Sequence, residues 1–189
     1  PRSPTMTSMP TPSPTSMFPL TCDFDEGVRG NNYNANVTLC GFTLQDKKWT
    51  RHTGSTFSNR TGPPKGDHTT DGGSGYYMYV EASQPNYPAK TFTMESPGLP
   101  KSGFHINLTF WYNMWSDQYG IDYMGTLRVD AMSESGEWNN DGWWSKTGNQ
   151  GKFWQKASVL LPLNTVRMRF TGITGEKAYG DMAIDDISM

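Results

Sequence analysis

From Thr21 onward the chain repeats a two-residue alternation of apolar and polar positions, broken by turns. Tyr76, Met78 and Val80 alternate with Tyr77, Tyr79 and Glu81. Phe92 and Met94 mark a strand after the Pro85–Pro88 loop. Ile106, Leu108, Phe110, Tyr112 and Met114 alternate with His105, Asn107, Thr109, Trp111 and Asn113. Leu127, Val129 and Ala131 predict the next strand, followed by Phe153–Leu161, by Val166, Met168 and Phe170, and by Met182–Ser188. Side chains of a strand point alternately to its two faces, so each run offers one face to a core. No stretch of ten or more residues carries a helical period. About ten short strands of this kind predict an all-β, two-sheet antiparallel β-sandwich.

The last run, Gly180-Asp-Met-Ala-Ile-Asp-Asp-Ile-Ser-Met189, sets two adjacent carboxylates inside an apolar stretch. Strict alternation puts Met182, Ile184 and Asp186 on one face and Ala183, Asp185 and Ile187 on the other. Whichever face is inward carries an aspartate with it, and a buried carboxylate needs a cation, a metal or several N–H donors. The simpler alternative is a strand end at which one Asp is solvated and the other caps a turn.

Composition narrows the class. Residues 1–20 are Pro, Ser and Thr with almost no apolar period and read as a flexible or extended linker, a candidate for O-glycosylation; residues 21–189 are the folded domain. Seven Trp, nine Tyr, nine Phe and twenty Gly fit an all-β chain. A net charge of −2 gives no electrostatic case for nucleic acid, and no apolar run approaches the length of a bilayer helix. Starting at Pro1 without a signal peptide, the chain reads as a piece of a longer precursor. Sequons at Asn36, Asn59 and Asn107, beside the two cysteines and the Thr/Pro-rich tail, favour the secretory route. In that compartment Cys22 and Cys40 form a disulfide, contributing about 3 kcal/mol by closing its loop; the alternative is two free buried thiols in a cytosolic protein. His52, His68 and His105 show no metal-ligand spacing, and no nucleophile elbow, zinc-protease helix or phosphate loop is present. Glu134 and Glu137 sit in a Ser/Gly/Asn-rich loop and read as solvated acids.

The order of short motifs is more specific than any one of them. Cys22-Asp-Phe-Asp25, Cys40-Gly-Phe with Gln45 and Trp49, and Gly66-Asp-His-Thr-Thr-Asp71 before Gly75-Tyr-Tyr-Met-Tyr come first. Ser96-Pro-Gly-Leu99, Leu108-Thr-Phe-Trp-Tyr-Asn-Met114, Gly125-Thr-Leu-Arg-Val129, Gly151-Lys-Phe-Trp-Gln155 and Gly180–Ile187 follow in turn. From about residue 21 to its end the chain resembles a MAM domain, the extracellular module of meprin-type proteases, neuropilins and receptor tyrosine phosphatases. The resemblance implies a jelly-roll sandwich, an adhesive or assembly role and no catalysis by the module itself. It departs from the family at Asn107, where a cysteine of a second disulfide is usual, and at Asp25, where Glu is usual. The stretch Trp115–Met124 is longer and more aromatic than the family leads one to expect.

Some members of the family hold a metal ion, and the resemblance carries that role to Asp25, Asp67 and Asp185 or Asp186, with structural Ca2+ as the expected ion. The bland alternative is that Asp67 caps the turn His68–Thr70 and that Asp186 pairs with an arginine such as Arg128 or Arg169. Trp49 and Trp154 are expected in or near the core. Of Trp143 and Trp144, which point to opposite faces of an extended segment, one is expected at the surface. A contact surface is expected around Trp115, Tyr119, Tyr123, Trp143 and Trp144. The expected function is a non-enzymatic adhesion or assembly module binding protein partners, homophilic or heterophilic, and carrying N-linked glycans. It belongs in a secreted matrix protein or a cell-surface ectodomain. The rivals are a lectin-like carbohydrate module, on the strength of the exposed aromatics, and an accessory domain of a secreted metalloprotease.

Overall fold

The computed structural model describes residues 18–26, 39–45, 49–70, 74–101, 103–118 and 123–189. The described residues form eleven strands and no helix. They are β1 (Thr21–Cys22), β2 (Thr43–Leu44), β3 (Trp49–His52), β4 (Tyr77–Val80), β5 (Thr91–Glu95) and β6 (Asn107–Met114). After these come β7 (Thr126–Met132), β8 (Trp144–Thr147), β9 (Gly151–Leu160), β10 (Arg167–Ile173) and β11 (Met182–Ser188). One sheet runs β3-β4-β11-β6-β9, with β1 added to β11; the other runs β2-β5-β10-β7-β8. Every pairing is antiparallel, so the two-sheet sandwich expected from the alternation, a jelly roll as the resemblance implies, is what forms.

The core lies between the sheets, where the apolar positions of the period-two runs meet. Phe110 of β6 and Phe170 of β10 stand edge to face at 4.9 Å, and Phe92, Met94, Leu108, Leu127, Val129, Met168 and Ile184 fill the space around them. Trp49 crosses from β3, wholly buried, and its indole N–H donates to the Phe92 carbonyl at 3.1 Å, so the ring is packed without an orphaned donor.

The first sheet is also covered on its outer face. Tyr77, Tyr79 and Ala183 form a smaller buried cluster there, against which Trp154 packs. The loop between β3 and β4 lies over them: Tyr77 Oη donates to the Gly54 carbonyl at 2.8 Å, and Trp154 Nε1 to the Gly66 carbonyl at 2.9 Å. Trp154 is therefore half-buried on this outer layer, not in the main core. β3 and β4 are buried at every position because both their faces are covered, which hides them from a simple alternation test.

The terminal strand departs from strict alternation. Asp186 has φ 46°, and the pairing of β11 with β6 shifts between Asp185 and Ser188. The bulge returns Ile187 to the main core beside Met182 and Ile184, while Asp185 stays on the outer face with Ala183. Asp185 and Ile187, assigned to one face by the period of two, are on opposite faces.

Candidate functional site

The bulge delivers Asp185 under the loop that follows β3. Its side chain is fully buried, as is that of Asp67 to within a few per cent. Asp185 Oδ2 accepts from the His68 backbone N–H at 3.0 Å and Oδ1 from that of Asp186 at 2.8 Å. Asp67 Oδ2 accepts from both the N–H and the hydroxyl of Thr70, at 2.6 and 2.7 Å, so it does cap the turn. The two carboxyls also meet each other through a hydrogen bond. Burial, then this bond, pushes the Asp185 carboxyl up to about 10. Asp25 joins from the other side: its Oδ1 accepts the Tyr76 N–H at 2.6 Å, and burial together with the nearby Asp67 charge raises its carboxyl.

Arg51, which the sequence pattern does not single out, fixes that approach. The residue is 1% exposed, and its guanidinium lies 3.4 Å from the centre of the Tyr76 ring and donates to the carbonyls of Phe24 at 2.6 Å and Asp25 at 3.0 Å. Its only sequence signal is an arginine set beside Trp49 and Thr50. Gly75 completes the enclosure, because a Cβ there would overlap the Asp67 carboxylate.

Asp186 turns away from this pair. Its carboxylate pairs with His68 Nδ1 at 2.5 Å and accepts from Thr69 Oγ1, and His68 in turn stacks on Trp111 at 3.7 Å. The arginine partnership suggested by the sequence is not made. Arg128 and Arg169 belong to the other sheet, where both serve the fully buried Asp130. Arg169 Nε and Thr171 Oγ1 donate to Asp130 Oδ2 at 2.9 and 2.6 Å, while Arg128 Nε lies 2.8 Å from Oδ1 without lining up for a hydrogen bond. The contrast is informative. One buried aspartate has two guanidiniums; among the described residues, Asp67 and Asp185 form no ion pair with Lys or Arg.

Two buried carboxyls without a basic partner must hold a proton or a cation. As the side chains stand, no group of three or more His, Cys, Asp or Glu among the described residues is arranged to hold a metal ion, and a shared proton satisfies the pair. The donor set nevertheless fits a hard cation: every side-chain donor is a carboxylate oxygen, two of the carboxyls are buried, and only a glycine at position 75 lets the Asp67 carboxyl pack where it does.

The remaining predicted positions are dispersed. Cys22 and Cys40 are joined, tying the strand beside β11 to the chain before β2. Asn107 and Asn59 are exposed, whereas Asn36 and Tyr119 lie outside the described residues. Trp115 and Tyr123 are half-buried in the β6–β7 connection, each with a lysine near its ring, Lys152 at 5.1 Å and Lys177 at 5.2 Å. Trp143 is exposed and donates to the Leu160 carbonyl at the far end of β9. Trp144 instead packs against Phe110 and Tyr112, at 5.1 and 5.0 Å. Only one of the two adjacent tryptophans is at the surface, and it is far from Trp115, since β9 is about 30 Å long at strand rise.

The fold and its disulfide define a two-sheet, disulfide-tied β-sandwich module. The chain belongs to the family described as "MAM domain, meprin/A5/mu", whose profile matches residues 22–189. It is 29% identical over 178 residues to the MAM domain-containing glycosylphosphatidylinositol anchor protein 2 of Homo sapiens, covering 89% of this chain and 18% of that protein. It is 35% identical over 154 residues to MAM domain-containing protein 2 of Homo sapiens, covering 78% of this chain and 21% of that protein. The chain thus spans about a fifth of the length of these relatives. A cleaved adhesin domain of Lys-gingipain from Porphyromonas gingivalis has the same fold, with a TM-score of 0.57 at 14% identity over 89% of this chain and 95% of that one. No helix among the described residues is long and apolar enough to cross a membrane.

Proposed function

We propose that this chain is a non-enzymatic adhesion or assembly module that binds protein partners from within a larger secreted or membrane-attached glycoprotein. The observation that carries this reading is the cluster at one end of the sandwich. Trp115, Tyr123 and Tyr179 each have a cation near the ring, from Lys152, Lys177 and Arg60, the last at 4.6 Å. Aromatics and arginine are the side chains that most often anchor protein interfaces. Arg60 is also held by Asp117 at 2.9 Å, which presents its guanidinium in a fixed position. Relatives named for a glycosylphosphatidylinositol anchor support a parent protein held at the cell surface.

Within the same reading, Asp25, Asp67 and Asp185 hold a structural Ca2+ ion and Asp186 orients the His68–Thr69 loop above it. Ca2+ would supply the positive charge that the seam lacks, displacing the shared proton and tying the first and last strands together. Protein binding is tested by coating beads with the module, sorted for homophilic clustering and for capture by cells. Arg60→Ala with Tyr123→Ala should abolish contact while leaving thermal unfolding unchanged. Undiminished clustering by the double variant, or an occupied glycan at Asn59 beside Arg60 with full binding activity, would remove this end of the sandwich from consideration.

A further inference from the structure

The outer face of the first sheet carries a groove of about 550 Å³, which Asp67 of the acidic seam borders and whose other side is aromatic. Trp111 and Trp154 lie in it, with Pro64 and His68 on one wall and Lys152 and Phe153 on the other. Phe153 is 74% exposed and lies where the pairing of β9 with β6 shifts register. The His68 ring covers one face of Trp111, which fixes the indole as a rigid platform. Rigid aromatics edged by polar groups are surfaces on which the apolar face of a pyranose ring stacks, through C–H groups against the π cloud.

The same face presents a sequon. Asn107, Thr109 and Trp111 are alternate residues of β6 and so project together from the outer face. Their neighbours across the pairing with β9 are Leu160, Ser158 and Lys156. Asn107 is exposed, its side-chain oxygen accepting only from Ser158 Oγ at 3.0 Å among the described contacts. Trp111 lies four positions further on, about 14 Å along the strand, a span that the two N-acetylglucosamines and first mannose of an N-glycan cover. Between them lie Thr109 and, across the pairing, Ser158, both small and polar, and the Lys156 ammonium stands 5.9 Å from the centre of the Trp111 ring at the end of the path.

We propose that this groove is a saccharide-binding site and that its occupant is the N-linked glycan carried by Asn107 of the same chain. The glycan core lies along β6 and its inner sugars stack against Trp111, Phe153 and Trp154. The modification then acts as a fixed cover for the aromatic face, and the outer side of β6 and β9 is closed to protein partners. The adhesion surface lies at the loop end and meets this groove at Lys152, which lines the groove and also stands beside Trp115.

The test uses the chain made in a secretory eukaryotic host with 13C-labelled glycans. Site mapping should find Asn107 occupied, and its sugar protons should show upfield ring-current shifts and through-space contacts to the three aromatics. Phe153→Ser, a change at an exposed position, should remove the contacts to residue 153, weaken the shifts and speed endoglycosidase release of the Asn107 glycan by about fivefold, the order expected for losing one aromatic contact. Wild-type protein trimmed enzymatically to one N-acetylglucosamine should likewise lose the shifts without a substitution. An unmodified Asn107 overturns the proposal. So does an Asn107 glycan with the shifts of a free oligosaccharide. Saturable binding of added oligosaccharide in the groove of the fully glycosylated protein would overturn the choice of occupant, because the site would then be open.

Discussion

Replacing Asp185 with Asn examines the seam most sharply, because the variant keeps the shape of the side chain and removes its titration. In the absence of metal, burial first and the hydrogen bond with Asp67 second hold the Asp185 carboxyl at about 10, against an ordinary value of 3.8. Between those values the folded state holds one proton that the unfolded state has released. Stability must then fall as pH rises, by about 1.4 kcal/mol per pH unit for this one group. From roughly pH 5 to roughly pH 8 that amounts to about 4 kcal/mol as an upper bound, since local relaxation lowers it. Asn carries no proton in either state, so its share of the slope vanishes. Its amide can donate to Asp67 in place of the shared proton, but one of the two N–H donors from His68 and Asp186 loses its acceptor, costing about 1 kcal/mol. The expected outcome in chelator is near parity at low pH and a variant more stable by several kcal/mol at about pH 8. Denaturant titrations at four pH values measure it. Parallel stability lines for the two proteins would refute the claim that Asp185 is folded in its protonated form.

A second buried carboxyl behaves alike. Asp181 is raised to about 8 by burial and by Glu81, so Asp181→Asn in chelator should remove a further part of the same slope, with the effect levelling off above about pH 8. Gly75→Ala should lower stability by about 1–3 kcal/mol, because its methyl group displaces the Asp67 carboxylate from the Thr70 cap; thermal unfolding reads it directly. Reducing Cys22–Cys40, which closes a separation of 18 residues, should cost about 3 kcal/mol in denaturant titrations with and without reductant.

Much of the fold was legible because most strands bury one face only. β5, β6, β7 and β10 carry an apolar position at every second residue, and each lies with that side inward. The rule is silent where both faces are covered, as in β3 with Trp49–His52, and where the strand is mostly exposed, as in β8 with Trp144–Thr147. It misleads at Asp186, since a positive φ inserts a bulge that no local apolar pattern reports. The aspartates of the seam could be named from motif order, but their grouping depends on that bulge. The choice of Asp185 over Asp186 as the partner of Asp67 follows from it too. Arg51 escaped notice because its importance lies in two carbonyls some 26 residues earlier in the chain.

The central claim is that the seam of Asp25, Asp67 and Asp185 takes a calcium ion in place of a proton. Thermal unfolding of the chain at neutral pH in excess calcium and in chelator tests it most directly. At a calcium concentration about 100 times the dissociation constant, binding to the folded state should add about 2.7 kcal/mol and raise the melting temperature by roughly 5–10 °C. The gain should disappear in Asp185→Asn. An unchanged melting temperature in the wild-type protein, with the Asp67–Asp185 proton retained in both conditions, would contradict the account.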